Sequence, residues 1–422
     1  MRPVVTLALV GAGLRGRTYA RHAVAAGAGR VVAVAEPDPR RREAVAAEFG
    51  IAADRVFADW SQLAGAGRLA DAAVVATQDR LHRDPAVRLA DLGYHLLLEK
   101  PMAPTEAEAA DIAAAALRNG VIVAVCHVLR YTPYTRLLRR VLDEGRIGRL
   151  VNVQHLEPVG WWHQAHSFVR GNWSSTEESG PMLLTKSCHD IDWLVHLFGA
   201  IPERVSSFGG LTHFRAEHRP EGAAERCLDC RVEAACPYSA KRLYLAALAD
   251  PARHFWPLGA VTEEATGPAV LHALRTGPYG RCVYGAGNDV VDHQEVSMAF
   301  PDGATCSFTM SAFTPAEHRR TRLMGTHGYL DGDGVRLRYV DFRTGAEEVL
   351  EVAAGDPSAA GGHAGGDRGL TEAFLAAVAA GDPALISSDA AQSLATHRVV
   401  WAAERARLEG RVVHLRPDGA AD

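Results

Sequence analysis

Residues 4–16 read VVTLALVGAGLRG, an apolar run that stops on three closely spaced glycines. This stretch constrains the fold more than any other. A short buried strand entering Gly11, Gly13 and Gly16 and then a helix makes a strand–turn–helix unit. The first glycine permits the tight turn, the second lets a bulky group approach the backbone, and the third lets helix and strand pack closely. The same alternation continues. RVVAVAE, DAAVVAT, YHLLLEK and GVIVAVC are further strand-like runs, and PDPRRREAVAAEFG and PTEAEAADIAAAALRNG between them read as helices. Strands alternating with helices predict a doubly wound parallel sheet. The pattern fades near residue 128.

Beyond it the periodicity changes. Helices are expected at 132–144 and 181–198. From about residue 293 the runs HQEVSMAF, GATCSFTM, TRLMGTHGYL and GVRLRYVDF alternate and are divided by the turns Pro301-Asp302-Gly303 and Asp331-Gly332. That order predicts a large, mostly antiparallel open sheet backed by helices. Residues 353–369, rich in Gly and Ala, are expected to form a loop, and helices at about 370–380 and 387–408 to close the chain. The fold class is therefore α/β, with one domain over 1–128, a second over 129–422, and a Cys-containing insert at about 213–290.

With 48% apolar and 23% charged residues, the 422-residue chain has the composition of a globular protein. A net charge of −5 leaves no basic footprint, so nucleic acid is not an expected partner. No apolar run reaches the roughly 18 residues of a membrane span. The seven cysteines are an odd number and partly clustered, which fits free thiols or metal in a reducing cytoplasm better than secreted disulfides.

The glycine turn suggests a ligand. Free N–H groups at the start of the helix, at Leu14, Arg15 and Gly16, suit a pyrophosphate. Glu36 lies 20 residues after Gly16, at the end of the second strand. A carboxylate there accepts from both ribose hydroxyls and repels a 2′-phosphate, which points to NAD rather than NADP. Arg40 and Arg41 stand nearby as the counter-argument.

LLLEKPMA, with Glu99-Lys100-Pro101 closing a parallel strand after VVATQDRLH, resembles the Gfo/Idh/MocA oxidoreductases. The resemblance extends to RYTPYTRLLRRVLDEGRIGRLVNV, to the helix containing CHDID and to the last helix before GRVV. It implies an NAD(P)-binding domain followed by a larger α/β domain whose open sheet pairs subunits as a homodimer or homotetramer. It also implies that Lys100 and His189 meet at the nicotinamide, with Thr77, His82, Glu99, Arg130 and Tyr131 close by. Two departures stand out. Gln78 and Asp79 replace the usual Pro and Asn, and Thr185, followed by Lys186, replaces an aspartate found in many sugar dehydrogenases.

On a helix over 181–198, Leu184, Cys188, Ile191, Val195 and Phe198 form one apolar stripe, and Lys186, His189, Asp190 and Trp193 form its neighbour. Oxidising a hydroxyl requires a base near neutral pKa and a cation for the developing alkoxide. His189 suits the first role and Lys100 the second. Lys186 is expected to orient substrate, and Asp190 either to orient the imidazole or to cap a neighbour. Residues 157–180 carry Trp161, Trp162 and Trp173, three of seven tryptophans, among His163, His166, Arg170 and Asn172. Indole faces stack on sugar C–H faces and the polar groups bind hydroxyls, so a carbohydrate is the expected substrate.

CLDCRVEAACPY supplies Cys227, Cys230 and Cys236, with Cys282 as a fourth thiol and His213 or His218 as rivals. The spacing suits structural zinc, with an iron–sulfur cluster or plain thiols as alternatives, in an insert expected to lack an apolar core. Cys126, Cys188 and Cys306 lie in apolar runs and are expected in the core. The sequence thus predicts an NAD-dependent carbohydrate dehydrogenase. The alternatives are a glycosidase that oxidises its sugar transiently and a non-catalytic NAD sensor.

Overall fold

The computed structural model describes residues 3–352 and 362–422. The first sheet is built from β1 (Val5–Val10), β2 (Gly29–Ala35), β3 (Val56–Phe57), β4 (Ala72–Val75), β5 (His95–Leu98) and β6 (Val123–Val125). All pairings are parallel, in the order β3-β2-β1-β4-β5-β6. Helices cover both faces, which is why these strands are nearly continuous apolar runs. The helices start and stop where local chemistry dictates. Asp38 caps Pro39–Phe49 by accepting from the Arg40 and Arg41 N–H groups. Thr105 caps Glu106–Asn119, and that helix ends on Gly120 in the left-handed region at φ 61°.

The second sheet holds β7 (Leu150–Pro158), β8 (Arg204–Gly210), β9 (His293–Ala299), β10 (Thr305–Ser311), β11 (Arg320–Gly325), β12 (Gly328–Gly332), β13 (Arg336–Asp341), β14 (Glu347–Glu351) and β15 (Val413–His414). Their order is β14-β13-β12-β11-β7-β10-β9-β8-β15. The β7–β10 pair is parallel and the other pairs are antiparallel. Gln294, Val296 and Met298 of β9 point inward, and Glu295 and Ser297 outward. The inward face packs with the helices Pro133–Asp143, Cys188–Phe198 and Ala390–Glu409 in one core, which includes Cys188 and Cys306. Cys126 lies in the core of the first sheet.

Two features differ from the sequence reading. The helix expected over 181–198 is two helices, Met182–Thr185 and Cys188–Phe198, separated by Lys186 and Ser187. In a continuous helix the Thr185 carbonyl would accept from the His189 N–H. Here it accepts from Lys100 Nζ. Second, the chain returns to its beginning. Leu370, Phe374 and Leu375 of the helix Gly366–Ala380 pack with Val5, Leu7 and Tyr19 of the first domain. Most of the loop expected at 353–369 lies outside the described residues, and its last part is already helical from Gly366.

Candidate functional site

The carboxyl ends of the parallel strands carry the glycine turn. Gly11 has φ 90°, and a Cβ there would lie 2.5 Å from the Ala76 carbonyl oxygen. A Cβ on Gly16 would lie 2.1 Å from the Gly11 oxygen, so helix and turn are pressed together. Gly13 is different, since a Cβ there would meet nothing within 4 Å. Two glycines are demanded by packing and the middle one leaves open space, which fits a dinucleotide pyrophosphate over the helix start. Glu36 is buried at the end of β2. Its Oε2 accepts from the Ala12 N–H at 2.7 Å and its Oε1 from the Asp38 N–H at 3.0 Å. Those bonds hold the carboxylate against the turn. NAD is therefore expected to bind at least about tenfold more tightly than NADP, and Glu36→Ala to narrow that gap, as read by fluorescence titration.

Glu99 and Lys100 follow β5. Glu99 is buried and receives Arg15 Nε at 2.6 Å and the Tyr19 hydroxyl at 2.8 Å. Burial alone would raise its pKa, but Arg15 and Lys100 hold the carboxyl below its usual range. Arg15 also bonds Asp367 at 2.6 Å, tying the glycine helix to the returning C-terminal helix. The ammonium of Lys100 reaches across to the broken helix, where it donates to the Thr185 carbonyl. His189 begins the helix after that break. Its ring is buried, and its Nδ1 has no hydrogen-bond partner. Burial first, then the charge of Lys100, pushes the imidazole well below its ordinary pKa, so it is neutral at pH 7. Imidazoles flank it, with ring centroids of His363 at 5.7 Å and His127 at 6.1 Å.

Residues 5–127 match the family model described as an oxidoreductase family with an NAD-binding Rossmann fold. Residues 139–415 match its partner, the C-terminal alpha/beta domain of an oxidoreductase family. The chain belongs to the Gfo/Idh/MocA oxidoreductase family. The putative oxidoreductase YteT of Bacillus subtilis is 24% identical over 72% of this chain and 71% of that protein. Inositol 2-dehydrogenase 1 of Saccharopolyspora erythraea is 37% identical, but over 34% of this chain and 43% of its own length. A crystal structure of an Agrobacterium radiobacter oxidoreductase, in complex with NAD+, L-tartaric acid and magnesium, superposes with a TM-score of 0.70. It shares 16% identity and covers 97% of this chain and 98% of that one.

Within this Gfo/Idh/MocA frame, several residues expected at the ligands are committed to the protein itself. Arg130 makes a bidentate pair with buried Asp192, both bonds at 2.7 Å. The Tyr131 hydroxyl accepts from the N–H groups of Ser387 and Ser388. The His82 ring nitrogens lie 2.8 Å and 3.2 Å from the Pro101 and Thr77 carbonyls, so this residue stitches two strand ends together. Thr77 itself donates to the Leu81 carbonyl at 3.1 Å. Trp193 is core, and its indole N–H donates to Thr135 Oγ1 at 2.9 Å. Asp190 does not orient the His189 imidazole; its carboxylate is bonded to Arg319, and to His155 Nε2 at 3.1 Å.

The tryptophan segment divides. Trp161 is exposed, as is Asn172. Trp173 turns to the first domain and donates to Asp79 Oδ2 at 2.9 Å, where burial raises the pKa of the carboxyl. Trp162 and His163 pack around Trp256, with centroids 5.1 Å and 4.8 Å from it. His166 is a packing residue, bonded to the Tyr244 hydroxyl at 2.7 Å and stacked on Tyr279. Arg170 straps the insert instead of facing a ligand, donating to the Arg281 carbonyl at 2.7 Å and the Tyr238 carbonyl at 2.8 Å.

Trp256 comes from the insert, and sequence patterning did not single it out. The same insert approaches the cofactor cradle. A Cβ on Gly259 would lie 3.7 Å from Leu14, and Glu263 pairs with Arg41 at 2.8 Å. Arg319 and Glu157 were also missed.

The zinc expectation is not supported. Cys227, Cys230, Cys236 and Cys282 are free thiols, and Arg170 Nη2 approaches Cys227 Sγ at 3.5 Å. Among the described residues, no group of three or more His, Cys, Asp or Glu is arranged to hold a metal ion, so the iron–sulfur alternative is without support as well. The insert does not need such a clamp. Cys227, Ala240, Tyr244, Ala247, Leu258, Val270 and Leu274 give it an apolar core, contrary to expectation. No helix among the described residues is long and apolar enough to cross a membrane.

Proposed function

We propose that the protein oxidises a hydroxyl-bearing carbon of a carbohydrate, with Lys100 and His189 at the reacting end of the cleft. The observation that carries this reading is the pairing of the Lys100 ammonium with the Thr185 carbonyl beside a buried, neutral His189. Gly11, Gly13, Gly16 and Glu36 would hold NAD. When bound, NAD supplies the acceptor for the hydrogen and electron pair that leave carbon.

The chain's own groups do the remaining work. Lys100 donates a hydrogen bond to the substrate oxygen and stabilises the negative charge that grows there. His189, kept neutral by burial and by Lys100, takes the hydroxyl proton. Trp161 and Trp162 supply aromatic surface for a sugar face. The outward residues of β9 and β10, including Glu295, Ser297, Thr305 and Ser307, leave one sheet face free of helices, which supports assembly of copies through that face.

The test incubates the purified protein and NAD with free sugars, cyclitols and aryl glycosides, and follows NADH absorbance and aglycone release together. Net NADH is expected. Aglycone release without net NADH would replace the dehydrogenase with a glycosidase that oxidises transiently. Neither signal across the panel would leave a binding protein.

A further inference from the structure

The break in the helix does more than bring Lys100 to Thr185. It also turns Lys186 toward the carboxyl end of β7, where its Nζ lies 2.8 Å from Glu157 Oε1. Arg319, just before β11, completes the cluster. Its Nη2 lies 3.0 Å from Glu157 Oε2, and its Nε and Nη2 bond the two oxygens of Asp190. Asp190 adjoins His189 and Lys186 adjoins Thr185, so this cluster borders the proposed reacting end.

Its charges are layered. The carboxylates lie behind, with the side chains of Glu157 and Asp190 exposed by 5% and 0%. The cations lie in front, with Lys186 and Arg319 exposed by 17% and 23%. His155 adds a further bond behind, from Nε2 to Asp190. Arg319 Nη1 has no partner among the described residues. The carboxylates near Lys100 are engaged too, Glu99 by Arg15 and Asp79 by Trp173. The outward side of the cluster is therefore two partly open cations, charge-balanced by two buried carboxylates behind them, with Lys100 as a third cation nearby. Preorganised cations in a partly dry site bind an anionic oxygen far better than water-exposed ones.

We infer that the substrate is a sugar acid whose carboxylate is held by Lys186 and Arg319, with the oxidised hydroxyl at Lys100 and His189. This rests on the proposed placement of the reacting end, and it narrows the carbohydrate to aldonates and uronates. A carboxylate presents two oxygens in one plane, matching one ammonium and one free guanidinium N–H.

The test is equilibrium titration calorimetry on the NADH-bound protein, in which the reduced cofactor cannot accept hydride and no turnover occurs. The probes are D-gluconate, D-glucuronate and D-galacturonate against D-glucitol, D-glucose and D-galactose, with D-glucose 6-phosphate as a separate arm. At least one acid is expected to bind about tenfold or more tightly than its neutral partner. In Lys186→Gln that advantage should fall severalfold while NAD binding stays unchanged. Arg319→Lys, which keeps a cation against Asp190, should weaken the acid without unfolding the protein. The inference is overturned if no acid outbinds its partner, if Lys186→Gln keeps the full advantage, or if glucose 6-phosphate binds more tightly than every acid. Since binding is read without turnover, an acid preference with no NADH formed would sink the dehydrogenase alone. NADH from neutral sugars with no acid preference would sink this inference alone.

Discussion

Lys100→Met should lower kcat by about two to three orders of magnitude and leave NAD affinity nearly unchanged. The size follows from what one preorganised donor to a developing oxyanion contributes. Its position makes the argument specific. The lysine lies just past the end of β5, at the carboxyl edge of the parallel sheet, and its ammonium bridges to the broken helix at Thr185. Methionine fills similar volume but cannot donate. A second effect separates chemistry from mere support. Lys100 is among the groups that depress the His189 pKa, after burial. Removing its charge should raise that pKa toward the ordinary histidine value. The acid limb of kcat/KM, expected below pH 6.5 in the native enzyme, should then move upward in the variant. A loss smaller than about tenfold, with an unmoved acid limb, would remove Lys100 from the reaction.

The glycine turn and the strand–helix alternation were legible because both are local. Spacing along the chain identifies Gly11, Gly13 and Gly16, and periodicity identifies the parallel strands. The helix break at Lys186 was not legible. Both sides of it are helical in pattern, and no Gly or Pro separates Thr185 from Cys188. Its partners are distant: Lys100 just after one strand and Glu157 on another. The same limit explains the misplaced ligands. Arg130 reads as a binding residue until Asp192, 62 residues later, takes its guanidinium. Tyr131 reads the same way until Ser388 arrives 257 residues on. Arg319 sits in the charged run EHRRTR, where nothing marks it off from its neighbours. Only the fold shows that it reaches Asp190 and Glu157 while its neighbour Arg320 is exposed. The insert's core escaped notice because its apolar residues are spread over nearly fifty positions between cysteines that drew the eye.

Acid should destabilise this protein early, beginning below about pH 6.5 and before its carboxylates titrate. Four histidines are buried and hold their protons weakly. Burial pushes His127 and His166 down to about 3 and His397 down to about 4, and His189 lies well below its ordinary value. In the unfolded chain each returns to about 6.5. The unfolded state therefore binds protons that the folded state refuses. Stability is fully present above the unfolded value and is lost as pH falls below it, until the folded groups titrate near 3 to 4. Each group contributes a slope of about 1.4 kcal/mol per pH unit. Together they can remove stability comparable to that of a whole domain within about two units. The carboxylates with depressed values, Asp190 and Asp192 among them, act in a lower window, because their unfolded pKa is about 3.9. The thermal midpoint should therefore fall steeply between pH 6.5 and pH 5. His127→Leu should flatten that fall by about one proton's worth, because both ring nitrogens of His127 are buried without hydrogen-bond partners and leucine leaves nothing there to protonate. A midpoint that stays level from pH 7.5 to pH 5.5 would mean that these imidazoles accept protons in the folded state, and His189 would then be a charged group at the pH where it is proposed to serve as a base.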